Sequence, residues 1–291
     1  MRHPNVCAGV TAYYPGEGFH ERINAIAGQV ALVIVVNNSD SDSLSRDDFA
    51  ENVEIRFNKN IGAVAGALNI VLREARLLKF DYLVTFDQDS VVPPDLIAGL
   101  IAASRVTGAH IVGPNYINSA TKAPGRFNLY GQGLMISKWF PKPAGIHEAY
   151  CVITSGMLMA LNDLPRNLDY RDDFLVDLVD VEFCLKARSL GLRVVVNTDV
   201  FMSHALGNRL PGSSRFSATN YGPFRRYTAT RNRIVLWRQY LRAFTLFVVT
   251  DIAIAFADLA RTLLIERGRP ALFKAYYTGV RDGIRALRKP K

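Results

Sequence analysis

Asp87 and Asp89, one residue apart in FDQDS (86–90), directly follow the apolar run DYLVT. Residues i and i+2 of a strand face the same way, so both carboxylates can address one cation where the strand ends. Hard divalent ions such as Mg²⁺ take oxygen ligands and bridge one or two carboxylates to substrate phosphates. A phosphoryl-transfer nucleophile is the second reading of the pair. The third reading is a polar turn whose carboxylates favour the N-terminus of the helix beginning at PPD.

A second acidic cluster, Asp177, Asp180 and Glu182, lies in DDFLVDLVDVEFCLKARSLG (172–191). An Asp held in a crevice there would act as general base toward an incoming hydroxyl. Proximity to a helix N-terminus would also account for the cluster. His204, in MSHALG, follows an apolar strand and is either a third metal ligand or a structural histidine. In NKNIGAVAGALN (58–69), Gly62 and Gly66 open a helix, where small residues let a ligand's phosphates approach the backbone. No G-K-[ST] follows, and the spacing is not the dinucleotide G-x-G-x-x-G.

These residues need elements to position them. Apolar, β-branched runs at 6–14, 31–38, 53–57, 82–87, 110–117, 151–161 and 192–197 predict strands. Helical patterns at 16–29, 62–80, 93–106 and 178–191 fall between them, the second with Val64, Leu68, Leu72 and Ala75 on one face. Continuous apolar strands alternating with helices predict an α/β fold with a mainly parallel, buried central sheet flanked by helices. Ligands of such sheets bind beyond the carboxyl ends of the strands. The first four strands end in YYPGEG, NNSDSDS, NKNIGAVAG and DQDS, so a polar crevice is expected along one edge.

From residue 225 the character changes. Residues 225–291 hold 15 Lys and Arg against 4 Asp and Glu, a balance of +11, whereas residues 1–224 hold 20 against 22. The chain divides on this basis into residues 1–224 and a basic helical C-terminal extension, 225–291, with an anionic partner such as membrane lipid, nucleic acid or a phosphorylated substrate. No stretch of 18 uncharged apolar residues occurs; residues 243–257 come nearest, and Asp251 interrupts them. A helix docked on its own domain or lying in a membrane interface fits this pattern. The first 19 residues carry charge, proline and glycine where a secretory h-region would be needed. Cys7, Cys151 and Cys184 are widely spaced and odd in number, so buried reduced thiols and a cytoplasmic location are expected.

In their order these segments resemble the family 2 inverting glycosyltransferases, and within them the bacterial rhamnosyltransferases of surface polysaccharide synthesis. The matching pieces are VTAYYP, VVNNS (35–39), NKNIGAVAGALN, FDQDS, ITSGMLM, FLVDLVDVEFCLKARSLG, HALG and YTATRN (227–232), which together span about residues 6–235. The resemblance implies a nucleotide-sugar-binding GT-A fold, with a nucleotide half at about 1–117 and an acceptor side at about 118–224. It implies Asp87 and Asp89 at a divalent metal (Mg or Mn) and the nucleotide diphosphate, with His204 a further metal or diphosphate contact. It makes Asp180 the general base and gives Asp177 a role on the acceptor side. Asn37, Asn38, Asn60 and Gly62 would line the nucleotide pocket, and Arg231 would approach the diphosphate or acceptor. Asn37 stands where the family usually has Asp, which leaves the nucleotide preference open.

The activity implied is metal-dependent transfer of L-rhamnose from dTDP-β-L-rhamnose, with inversion, to a hydroxyl of a lipid-linked glycan in surface polysaccharide or O-antigen synthesis. Another nucleotide sugar is the alternative. The basic tail would then sit peripherally on the inner face of the cytoplasmic membrane. DQDSV also resembles the haloacid-dehalogenase-type phosphatases, but these usually carry the motif on their first strand, and here three strands precede it. YYPGEGFHER lacks the Gly- and Arg-rich, Lys-containing loop of sugar nucleotidyltransferases. The acidic pocket argues against a nucleic-acid partner.

Overall fold

A computed structural model describes residues 5–40, 44–118, 122–131, 137–204, 222–265 and 269–286. In chain order the elements are β1 (Val6–Ala12), α1 (Phe19–Ala27), β2 (Leu32–Asn37), β3 (Val53–Phe57), α2 (Ala63–Leu77) and β4 (Tyr82–Asp87). Next come α3 (Leu96–Thr107), β5 (Ile111–Asn118), β6 (Arg126–Asn128), β7 (Ser137–Trp139), β8 (Ile146–Glu148) and β9 (Met157–Ala160). The chain continues through α4 (Val179–Ser189), β10 (Val194–His204), α5 (Pro223–Tyr240), α6 (Thr245–Ile265) and α7 (Arg269–Ala286).

Eight strands form one sheet in the order β3-β2-β1-β4-β9-β5-β10-β8, while β6 and β7 pair separately. β1 to β4 are mutually parallel. β9 runs antiparallel to both β4 and β5, and β10 lies parallel to β5. β4 and β10 therefore point the same way, and their carboxyl ends share one edge. All seven residues of β1 are buried, without alternation, as expected of a strand covered on both faces. On one face α2 buries Leu68, Val71, Leu72 and Ala75 against the sheet, while Val64 is only half-buried. Gly9 of β1 permits that contact, because a Cβ there would lie 2.2 Å from a Val71 methyl.

Two expectations change. The apolar run 151–161 is strand only at Met157–Ala160. Before it the backbone turns through Gly156 (φ 81°), whose N–H donates to Thr85 O at 2.8 Å. Burial on both sides makes this turn look like strand in the sequence. The helical pattern from 225 onward is broken at 241–244, where Phe244 inserts beside Tyr150 and Tyr240.

α7 lies on α5 with almost no side chain between them. A Cβ at Gly279 would come within 2.9 Å of Tyr227 O, and one at Gly283 within 2.9 Å of Arg231 O. α6 is tied in by Phe247 against Tyr150 and by Asp251, which accepts from Trp237 Nε1 at 2.7 Å. Asp258 pairs with the buried Arg226 and accepts from Tyr276 Oη at 2.9 Å. Among the described residues no helix is long and apolar enough to cross a membrane.

Candidate active site

Parallel register levels the strand ends. Asp87 sits opposite Thr11, Asn37 opposite Ala12, and Phe57 opposite Asn37. Asp87 is the last residue of β4, half-buried, and Asp89 follows in an exposed turn. Gln88 between them fixes the turn: its Oε1 accepts from Tyr13 N at 2.6 Å and its carbonyl from Arg22 Nε at 3.0 Å. After the turn, Val91 bridges to Ser203 of β10. This bridge brings the end of β10 beside the acidic turn. His204 is the last residue of β10, in register with Asn118. Its side chain, and residues 205–207 of HALG, lie outside the described residues.

The third wall is the turn before β9. Thr85 Oγ1 donates to Thr154 O at 2.7 Å, and the buried hydroxyls of Ser90 and Ser155 bond to each other. The backbone N–H of Thr154 in turn reaches Asp180, in the first turn of α4. Asp180 also accepts from Val181 N at 2.8 Å. Asp180 is raised above the usual carboxylate range by burial and by Asp177, against the lowering effect of these N–H groups. Asp87 is pushed up to about 7 by burial, then by Asp89 and Asp180. The charges of Asp89 and Asp180 therefore both act on Asp87. Asp87 and Asp89 are hard oxygen donors and fit a divalent metal. No group of three or more potential ligands is preassembled among the described residues.

On the other side of Asp87 the asparagines form a buried network. Asn37 Oδ1 accepts from Ser39 N at 2.9 Å. Asn38 Nδ2 donates to Ala63 O at 3.0 Å, and its Oδ1 accepts from Asn58 Nδ2 at 2.7 Å. Asn58 Nδ2 also donates to Ile61 O at 2.7 Å. Asn60 is exposed at φ 56°, and Gly62 begins α2 at φ 67°. This network shapes the turn that opens the crevice. Asn58 was not singled out from the sequence, although its place in NKNIG was the available signal.

Asp177 and Arg231 have other partners. Arg225 Nη2 donates to Asp177 at 2.9 Å, and Thr228 Oγ1 bonds to the other carboxylate oxygen. Arg231 donates to the carbonyl and carboxylate of Asp173, each at 2.6 Å. Its neighbour Asn232, buried at 1% exposure, donates to Phe174 O at 2.7 Å and Asp177 O at 2.8 Å. The YTATRN segment thus clamps the 173–177 loop that leads into Asp180. Glu182 turns away from the crevice and accepts from Tyr240 Oη at 3.0 Å.

The mainly parallel eight-stranded sheet flanked by helices is a fold of GT-A type. Residues 9–150 match the family described as Glycosyl transferase family 2, so the chain carries a glycosyltransferase family 2 domain. It is 23% identical to the dTDP-rhamnosyl transferase RfbF of Shigella flexneri, over 97% of this chain and 96% of that protein. Solved structures share the fold. The crystal structure of GalNAc-T7 with UDP, GalNAc and Mn²⁺ superposes with a TM-score of 0.59 at 14% identity. That match covers 81% of this chain but only 49% of the other. S. aureus TarS 1–349 in complex with UDP-GlcNAc gives 0.55 at 16% identity, over 97% of this chain and 83% of that one.

Proposed function

We propose that the protein is an inverting rhamnosyltransferase. It would move L-rhamnose from dTDP-β-L-rhamnose to a hydroxyl of a lipid-linked glycan in surface polysaccharide or O-antigen synthesis. The observation that supports the mechanism is the position of Asp180, in the first turn of α4 and bonded to the Thr154 N–H of the turn beside β4, where its charge acts on Asp87. Asp180 takes the proton of the acceptor hydroxyl. The hydroxyl oxygen attacks the anomeric carbon from the face opposite the diphosphate. The bond from that carbon to the diphosphate oxygen breaks, and its electron pair leaves with dTDP, giving an α-L-rhamnoside. Asp87 and Asp89, with His204 as further ligand, would hold a divalent ion (Mg or Mn), which would neutralise charge on the departing diphosphate.

Asn37, Asn38, Asn60 and Gly62 bound the nucleotide side. Asp177 and Arg231 act through the loop they brace, Asp177 on the acceptor side. Residues 1–224 form the catalytic part, nucleotide-binding to about 117 and acceptor-side beyond it. Residues 225–291 form a basic extension whose partner is an anionic membrane surface, with the enzyme peripheral on the cytoplasmic face. The donor assignment draws on the similarity to the dTDP-rhamnosyl transferase of Shigella flexneri. Asn37, where the family usually has Asp, favours a second reading, transfer from another nucleotide sugar.

Calorimetric titration of dTDP, UDP and GDP, with and without Mn²⁺ or Mg²⁺, on wild type and Asp89→Ala tests both. Metal-dependent dTDP binding that Asp89→Ala removes is the expected result. A preference for UDP moves the donor, and nucleotide binding indifferent to metal and to Asp89→Ala overturns the metal role.

A further inference from the structure

α7 carries its large apolar side chains on the wrong side for a packed helix. The face toward α5 is made of small or modest groups, with Leu272 and Ala275 buried and Gly279 and Gly283 against the α5 backbone. Phe273, Tyr277, Val280 and Ile284 instead point outward, at 58%, 63%, 39% and 43% exposure. Their spacing of four, three and four residues aligns them in one stripe along the helix. Lys274, Arg281 and Arg285, all exposed, occupy the adjoining arc. Asp282 pairs with Arg281 at 2.8 Å, and α7 as a whole carries four basic residues against one acidic.

From this geometry we infer that the outward face of α7 is a docking surface for an anionic lipid bilayer. The inference deepens the membrane part of the reading above and rests on it only for why a membrane is the partner. An apolar stripe beside a row of cations is the pattern of a helix lying in the interface plane, its apolar side at the acyl boundary and its cations at the headgroups. The described helices do not suit a bilayer span. A second copy of the chain is the disfavoured occupant, because pairing the stripes would set two cationic arcs side by side. The glycine contact matters here. Backbone-to-backbone packing on α5 holds the stripe rigidly outward, so the helix need not unfold from the domain to reach lipid.

The test is vesicle sedimentation with the full chain. Vesicles of phosphatidylcholine alone are compared with vesicles doped with phosphatidylglycerol, at low and high salt. Binding is expected only to the anionic vesicles, and to weaken with salt. Lys274→Gln, Arg281→Gln and Arg285→Gln combined should lower the partition coefficient on the order of 100-fold, at roughly fivefold per cation. Tyr277→Ser with Ile284→Ser should abolish binding, and circular dichroism should show that both variants keep the fold, since all five side chains are exposed. Removing three exposed cations elsewhere, Arg73→Gln, Arg105→Gln and Lys142→Gln, should leave most of the binding. Equal loss in that control, or no binding to anionic vesicles, overturns the assignment. So does light scattering that shows a dimer dissolved by Tyr277→Ser with Ile284→Ser, which would make a second copy the occupant. Nucleotide titration of the same samples reports the donor site separately, so either reading can fail alone.

Discussion

Asn232→Ala tests whether the α5 clamp places the catalytic loop. The buried amide nitrogen serves two carbonyls at once, Phe174 O and Asp177 O. Alanine removes both bonds, together with the one that Asn232 Oδ1 accepts from Arg231 Nη1 at 2.8 Å, and takes the amide donor from two carbonyls. Arg231 is committed to Asp173, and Thr228 to the Asp177 carboxylate. An acceptor stripped of its partner costs about 1–3 kcal/mol when buried, so the pair should destabilise the fold by roughly 2–4 kcal/mol. The same loop runs into Asp180 three residues later. A displacement of about 1 Å at a reacting group costs on the order of 100-fold in rate. The expected signature is therefore a lower urea midpoint and a kcat reduced roughly 10- to 100-fold. The KM for the donor should be nearly unchanged, because the network of Asn38 and Asn58 lies on the other side of Asp87. A midpoint shift worth less than about 0.5 kcal/mol, well under the cost of one lost buried bond, with kcat within about twofold of wild type, would refute the reasoning.

Three further outcomes are expected. Asp180→Asn should lower kcat by about 10²–10⁴, the usual contribution of a general base, while nucleotide affinity measured by calorimetry stays the same. Asp87 titrates at about 7 in the fold against 3.8 in the unfolded chain, so the folded state holds a proton that the unfolded state has released between those values. Metal-free protein in EDTA should gain stability through this group as pH falls from 8 through 7, and urea midpoints should show that gain reduced in Asp87→Asn. Gly66→Ala would normally favour a helix by about 1 kcal/mol, but here the added Cβ would lie 2.1 Å from Ile61 O. A loss of roughly 1–3 kcal/mol in a denaturant titration is expected instead.

The parallel half of the sheet was legible because its strands are buried on both faces and read as unbroken apolar runs. The polar residues after each run marked one edge of the sheet, and Asp87 and Asn37 lie level along it. Tertiary pairing was not legible. Arg231 looks in the sequence like a cation available for a phosphate, yet Asp173 lies 58 positions away and takes it. Asp177 and Asp180 look alike on the page, and nothing in the sequence shows that Arg225 pairs with Asp177. The break at 241–244 has no glycine or proline to announce it, since it is made by Phe244 packing among Tyr130, Tyr150 and Tyr240. The strands between 126 and 148 are three residues each, too short for any alternation to show.

β9 has a consequence for how the molecule comes into being. In the sheet order of the described residues it is the only link between β4 and β5, yet Met157, where it begins, is synthesised 46 residues after Ile111, where β5 begins. Until residue 157 leaves the ribosome, the first four strands form a sheet with β4 as a bare edge, and β5 has no neighbour to join. The segment matched by the family, residues 9–150, stops short of that strand. Expressed by itself it would present the row of unpaired β4 amides and carbonyls to other chains, a template for aggregation rather than a minimal enzyme. The turn at 154–156, which ties Thr85 to the Asp180 loop, arrives with the same strand. Joining β4 to β5 is thus a late event in synthesis, and α4 and β10 follow it.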